Sequence, residues 1–121
     1  MLTKNKAKHL QTGATAELQA LNYLQQQGLR HLDSNYRCKM GELDLIMQHG
    51  KILVIVEVRY RKSNQYGGAL ASITSQKQQR IIAAAQHYVI IKQFTHLPLR
   101  FDVVALSGGN TLQWIKDAFR T

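Results

Sequence analysis

Gly41-Glu-Leu-Asp-Leu-Ile-Met-Gln-His-Gly-Lys-Ile-Leu-Val-Ile-Val-Glu-Val-Arg-Tyr-Arg61 carries two apolar, β-branched runs on either side of His49-Gly50. Glycine at a tight turn between such runs signals a β-hairpin. With His49-Gly50 as the loop, Gln48 stands opposite Lys51 and Asp44 opposite Ile55. Glu57 is then the diagonal neighbour of Asp44 on one face. Diagonal pairs sit roughly 7–8 Å apart at the backbone. Two carboxylates at about 7 Å, with an effective dielectric near 20, repel by roughly 2 kcal/mol. A positive group belongs between them. Arg59 shares the face of Glu57, because side chains two apart along a strand point the same way. A divalent cation is the other candidate, and an internal salt bridge with Arg59 is the purely structural alternative.

Outward from the hairpin, the 121-residue chain is long enough for one domain that buries about two thirds of its extended-chain surface. Hydrophobic content of 45% and charged content of 19% describe a folded globular chain rather than a disordered one. The net charge of +9 is the outlying quantity. It suits a polyanion, with nucleic acid the first candidate and an anionic membrane the second. The single cysteine, Cys38, excludes an internal disulfide and fits a reducing compartment. It reads as a small apolar strand residue. The basic start contains no apolar run of a secretory signal, and no stretch is long enough to span a bilayer. A cytoplasmic location and no membrane partner are expected.

Residues 1–9, with Lys4, Lys6 and Lys8, read as a flexible basic arm, leaving 10–121 as one domain. Leu10 to Gln27 favours helix and stops at Gly28. Ala14, Leu18, Leu21 and Leu24 form its apolar stripe. Glu17 lies on that stripe, where an unpaired acid is costly to bury. It closes a structural salt bridge or reaches the hairpin as a third acid, and the second is the expectation. Leu29 to Cys38 is a short strand with Asp33-Ser34-Asn35 as a loop or bulge. Arg37 and Lys39 bring positive charge to the hairpin's entrance.

Lys62 to Thr74 lacks periodicity and reads as a flap over the charged end of the sheet, a loop length often tied to function. Ser75-Gln76-Lys77-Gln78 has a capping-box pattern, opening a helix to about Lys92 that buries Ile81, Ile82, Ala85 and Val89. Lys77 and Arg80 at its start oppose the macrodipole, which leaves phosphate contact or a solvated face as their reason. Leu99–Leu106 and Thr111–Ile115 are strands joined by a turn at Ser107-Gly108-Gly109-Asn110. Asp102, internal to the first, pairs structurally with a nearby base.

No phosphate-binding glycine loop, dinucleotide fingerprint, zinc-spaced Cys/His cluster or nucleophile elbow is present. The five histidines are scattered. Oxygen ligands remain: Asp44, Glu57 and Glu17, a set suited to Mg²⁺ or Mn²⁺.

The strings Gly41-Glu42-Leu43-Asp44-Leu45-Ile46, Val56-Glu57-Val58-Arg59-Tyr60-Arg61 and Tyr66-Gly67-Gly68-Ala69 resemble the YraN-like family. So do Lys77 with its helix, Arg100-Phe101-Asp102-Val103 and Trp114-Ile115-Lys116-Asp117-Ala118-Phe119. The likeness runs from Gly13 to Phe119. That family looks like a branch of the PD-(D/E)XK nuclease superfamily. The resemblance implies an α/β fold with a restriction-endonuclease-like α-β-β-β-α-β core, a mixed central sheet flanked by helices. It matches Asp44 to the motif's aspartate, Glu57 to its second acid, Arg59 to its lysine and Glu17 to the acid of the first helix. One departure stands out. Arginine stays charged where lysine can lose a proton, so Arg59 can orient or stabilise but not act as a base.

The expectation is a metal-dependent endonuclease or resolvase-like protein acting on DNA phosphodiesters. Asp44, Glu57, the Val58 carbonyl and Glu17 would hold Mg²⁺ or Mn²⁺. Arg37, Lys39, Arg61, Lys62, Lys77 and Arg80 would contact the nucleic-acid backbone, with DNA favoured over RNA. The alternatives are a non-catalytic nucleic-acid-binding module on the same fold and an adaptor for an acidic protein. A homodimer is expected by analogy of fold only.

Overall fold

The structure, a computed structural model, describes residues 3–61, 71–108 and 111–121, with side chains from residue 15 onward. Helix α1 (Thr3–Gln26) leads into strands β1 (Arg30–Cys38), β2 (Gly41–His49) and β3 (Ile52–Arg61). Helix α2 (Ser75–Ile91) follows, then β4 (Leu99–Ser107) and β5 (Thr111–Phe119). The strands form one five-stranded sheet in the order of the chain. β1, β2 and β3 are an antiparallel meander, β4 runs parallel to β3, and β5 turns back antiparallel on β4. A parallel neighbour needs a crossover, and the connection carrying α2 supplies it. The result is the expected α/β class: a mixed sheet between two helices, compatible with a restriction-endonuclease-like core plus one strand.

The central strands show why the sequence pattern chooses this arrangement. Leu53–Val56 on β3 and Val103–Val104 on β4 are buried without interruption, as strands covered on both faces require. One face packs Leu43, Ile46, Leu53, Ile55, Phe101 and Val103 against Ile81, Ala84, Ala85 and Tyr88 of α2. The other packs Leu45, Met47, Val54, Val56 and Val104 against Ala16, Ala20 and Leu24 of α1. Cys38 is free and packs at the margin of the α2-side core, as an apolar strand residue should.

The structure corrects five local readings. The hairpin loop is Gly50-Lys51, because His49 pairs with Ile52 and Gln48 with Leu53. Gly50 takes φ +63° at the first loop position, a conformation side-chain-bearing residues avoid. The register therefore moves by two, and continuing it sets Asp44 directly opposite Glu57 rather than opposite Ile55. On α1 the buried stripe is Ala16, Ala20 and Leu24, whereas Leu18 is 57% exposed. Small alanines let the helix approach the sheet, which rotates Leu18 outward. α1 itself begins at Thr3, ahead of Leu10. The α2 cap is Thr74, not Ser75: its hydroxyl accepts from the Lys77 N–H at 3.2 Å, and the Gln78 amide donates to the Ile73 carbonyl. β5 runs on to Phe119, past the expected Ile115. The flap read over Lys62–Thr74 falls, for residues 62–70, outside the described residues.

Candidate metal centre where the hairpin splays

The β2–β3 ladder ends at Leu45↔Val56, short of the start of β2. Beyond it the strands part. The Val58 N–H, which a continued ladder would give to the β2 backbone, instead donates to Asp44 Oδ2 at 2.9 Å. One residue's N–H and C=O point to the same strand edge, so the Val58 carbonyl faces this fork as well. β1 is also irregular here. Asn35 sits at φ +53°, between the pairs Ser34↔Leu45 and Tyr36↔Leu43. The segment read as a loop or bulge lies inside a continuous strand whose register shifts, as at a bulge, between His31 and Asp33.

Asp44 and Glu57 share the fork and interact directly. Burial first, opposed by the Val58 N–H and the Arg59 guanidinium, leaves the Asp44 carboxyl raised above its ordinary value. Glu57 is 5% exposed. Burial and then the neighbouring Asp44 push it up to about 8, against the pull of Arg59 and the Asp44 backbone N–H. Glu57 Oε1 meets Arg59 Nη2 at 3.3 Å. Among the described residues, Glu57 Oε2 and Arg59 Nε are buried and have no hydrogen-bond partner. Arg59 therefore bridges one oxygen of one acid and does not close the pair.

Glu17 is half-buried on the flank of α1. Burial and the Asp44 charge raise its pKa, the Asn35 amide lowers it, and Glu42 adds to the rise. It looks toward Asp44 from the side. Among the described residues no three His, Cys, Asp or Glu groups converge tightly enough for a metal, so Glu17 stands outside the pair. Asn35 and Glu42 complete the surroundings, and the sequence reading assigned neither to the site. The signal for Asn35 was its place in Asp33-Ser34-Asn35, residue types that tolerate the left-handed region.

The fork suits a hard cation. It offers two carboxylates that repel each other, an unsatisfied carboxylate oxygen and a carbonyl. Mg²⁺ keeps several waters and binds through one or two carboxylates, so a third protein acid is not required.

Basic side chains ring the same end. Lys39 lies in the β1–β2 turn, Arg61 closes β3, and Lys77 and Arg80 occupy the first turns of α2, all exposed. A Cβ on Gly41 would come within 3.0 Å of the Arg80 carbonyl, so α2 starts hard against the start of β2. Arg37 is exposed and pairs loosely with Glu42 at 3.5 Å. Lys62 lies outside the described residues.

Residues 16–106 match the profile described as the uncharacterised protein family UPF0102. The chain belongs to this family. A UPF0102 protein of Saccharophagus degradans is 52% identical over 114 residues, spanning 93% of this chain and 96% of that protein. A UPF0102 protein of Pseudomonas fluorescens is 52% identical over 113 residues, spanning 92% and 94%. One from Legionella pneumophila is 49% identical over 109 residues, spanning 88% and 92%. The family profile covers Glu17, Asp44, Glu57 and Arg59. Family membership names no reaction, so the chemistry rests on the fork itself. No helix among the described residues is long and apolar enough to cross a membrane.

Proposed function

We propose that this UPF0102 protein is a metal-dependent phosphodiester hydrolase of the PD-(D/E)XK type, acting on nucleic acid at the fork. The observation that carries the reading is the facing pair of half-buried Asp44 and buried Glu57, with one Glu57 oxygen that has no partner among the described residues. A stable sheet alone gives no reason to set a half-buried acid against a buried one where a ladder stops. Asp44 Oδ1, Glu57 Oε2 and the Val58 carbonyl would hold Mg²⁺ or Mn²⁺, with Glu17 acting on a water of the cation's shell. When bound, such a cation lowers the pKa of bound water and offsets phosphate charge.

The protein's own groups do the rest. The Val58 N–H fixes the Asp44 carboxylate so that its second oxygen faces the fork. Arg59, permanently charged, steadies Glu57 and stabilises negative charge developing on the phosphate. Arg37, Lys39, Arg61, Lys77 and Arg80 hold the strand by its phosphates, which gives salt-sensitive affinity with little base preference. DNA is the favoured substrate. The test is cleavage of branched, flapped and single-stranded DNA with Mn²⁺, comparing the natural chain with Asp44→Asn and Glu57→Gln. Activity lost in both variants supports the reading, and equal activity in all three ends it.

The Arg59–Glu57 bridge favours a second reading, a nucleic-acid-binding module without catalysis, because it already neutralises one acid. Binding that survives Asp44→Asn, with no metal-dependent cleavage in any variant, would select it.

A further inference from the structure

α1 presents two flanks to the sheet. One carries Glu17 toward Asn35 and Asp44. The other carries Gln19, Asn22, Tyr23 and Gln26, which with Leu106 and Leu112 line a groove of about 240 Å³. Gln19, Asn22 and Gln26 are three and four residues apart, so their amides line up along one helix face. All three are exposed, and among the described residues none of these amides is taken by a protein partner. Among the described residues no charged side chain lines the groove. Its floor is aliphatic, from the ends of β4 and β5.

The wall beside it is aromatic and rigid. The Tyr23 ring meets Trp114 edge-on, with centroids 6.1 Å apart. Trp114 cannot swing away, because its Nε1 donates to the buried Asp102 at 2.9 Å. Lys116 Nζ lies 4.4 Å above the Trp114 ring, which sets a cation against this aromatic wall.

We propose that this groove takes one unpaired nucleobase, its edge read by the Asn22 and Gln26 amides and its face against Tyr23, with Lys116 at the adjoining phosphate. The inference rests on the nucleic-acid reading above and names its substrate class. Each amide offers both donors and an acceptor, the mixed pattern that a base edge presents. An apolar floor and an aromatic wall suit a flat heterocycle, and base–aromatic stacking is the usual means of holding single strands. The volume falls below that of drug-sized pockets, which limits the occupant to one ring system. A base inside a duplex has its edge paired and its faces stacked, so the groove selects single-stranded, flapped or branched substrate.

The test uses the full chain without divalent metal, titrated into a single-stranded DNA oligonucleotide containing 2-aminopurine and into the same oligonucleotide as a blunt duplex. Binding changes the 2-aminopurine fluorescence of the single strand and leaves that of the duplex unchanged. The Asn22→Ala/Gln26→Ala double variant weakens single-strand binding about tenfold and duplex binding less than twofold. Both positions are exposed on a helix, where alanine is favourable, so the fold is retained, as circular dichroism checks. Tyr23→Leu removes the fluorescence change while keeping an apolar wall. Equal affinity for both forms with unchanged fluorescence overturns the groove assignment alone. Failure of both forms to bind overturns the nucleic-acid reading with it.

Discussion

Asp102 on β4 and Glu57 on β3 are both buried acids on neighbouring central strands, 0% and 5% exposed. They are treated in opposite ways. Asp102 Oδ1 accepts from Arg100 Nε and the Asp117 N–H, and Oδ2 from Arg100 Nη2 and Trp114 Nε1, each at 2.9 Å. Every lone pair that matters is used, and a guanidinium balances the charge. Glu57 has a long contact to Arg59, a facing acid and, among the described residues, an oxygen without a partner. A carboxylate that ties strands together is satisfied by its own chain. One held ready for something else is not.

The contrast breaks most clearly under substitution. Asp102→Ala strands a half-buried guanidinium, an indole N–H and a backbone N–H, and is expected to cost about 3–5 kcal/mol in denaturant unfolding. Glu57→Gln swaps a carboxyl that keeps its proton up to about pH 8 for a neutral side chain of the same shape and should move stability at neutral pH by less than about 1 kcal/mol, while any Mn²⁺-dependent cleavage falls about a hundredfold or more. Similar losses of stability in the two variants would erase the distinction.

The pH dependence sharpens it. The folded chain keeps the Glu57 proton up to about 8, whereas the unfolded chain releases it near the ordinary 4.5. In that window the folded state binds more protons, so its stability falls as pH rises from 4.5 through 8. The expected loss is a few kcal/mol, and Glu57→Gln should flatten it, as unfolding curves at a series of pH values will show. Smaller effects lie away from both acids. Thr74→Ala should cost about 1 kcal/mol through the lost α2 cap. Arg37→Ala should cost less than about 0.5 kcal/mol, because its bridge to Glu42 is exposed.

Much of this was legible in the residues. The apolar runs announced the hairpin and the central strands, and the two acids inside them announced a shared hollow. The register was not legible, since one glycine serves a His49-Gly50 loop as well as a Gly50-Lys51 loop. That difference turned a diagonal pair into a facing one. Leu18 misled because helical spacing does not say which of two adjacent stripes meets the sheet. Ala16 and Ala20 win by allowing closer approach, at the expense of burying a leucine. Arg59 was expected between the acids, but whether a guanidinium reaches one carboxylate or two depends on rotamers and burial. The satisfaction of Asp102 by Trp114 and Asp117 needed the β4–β5 register, which no local pattern encodes.

The fork is most directly tested by calorimetric titration of Mn²⁺ into the natural chain and into Asp44→Asn and Glu57→Gln, each shown to be folded. One saturable site that disappears in both variants is the predicted result. Unchanged binding in the variants, or no binding by the natural chain, would contradict the assignment of the fork as a metal centre.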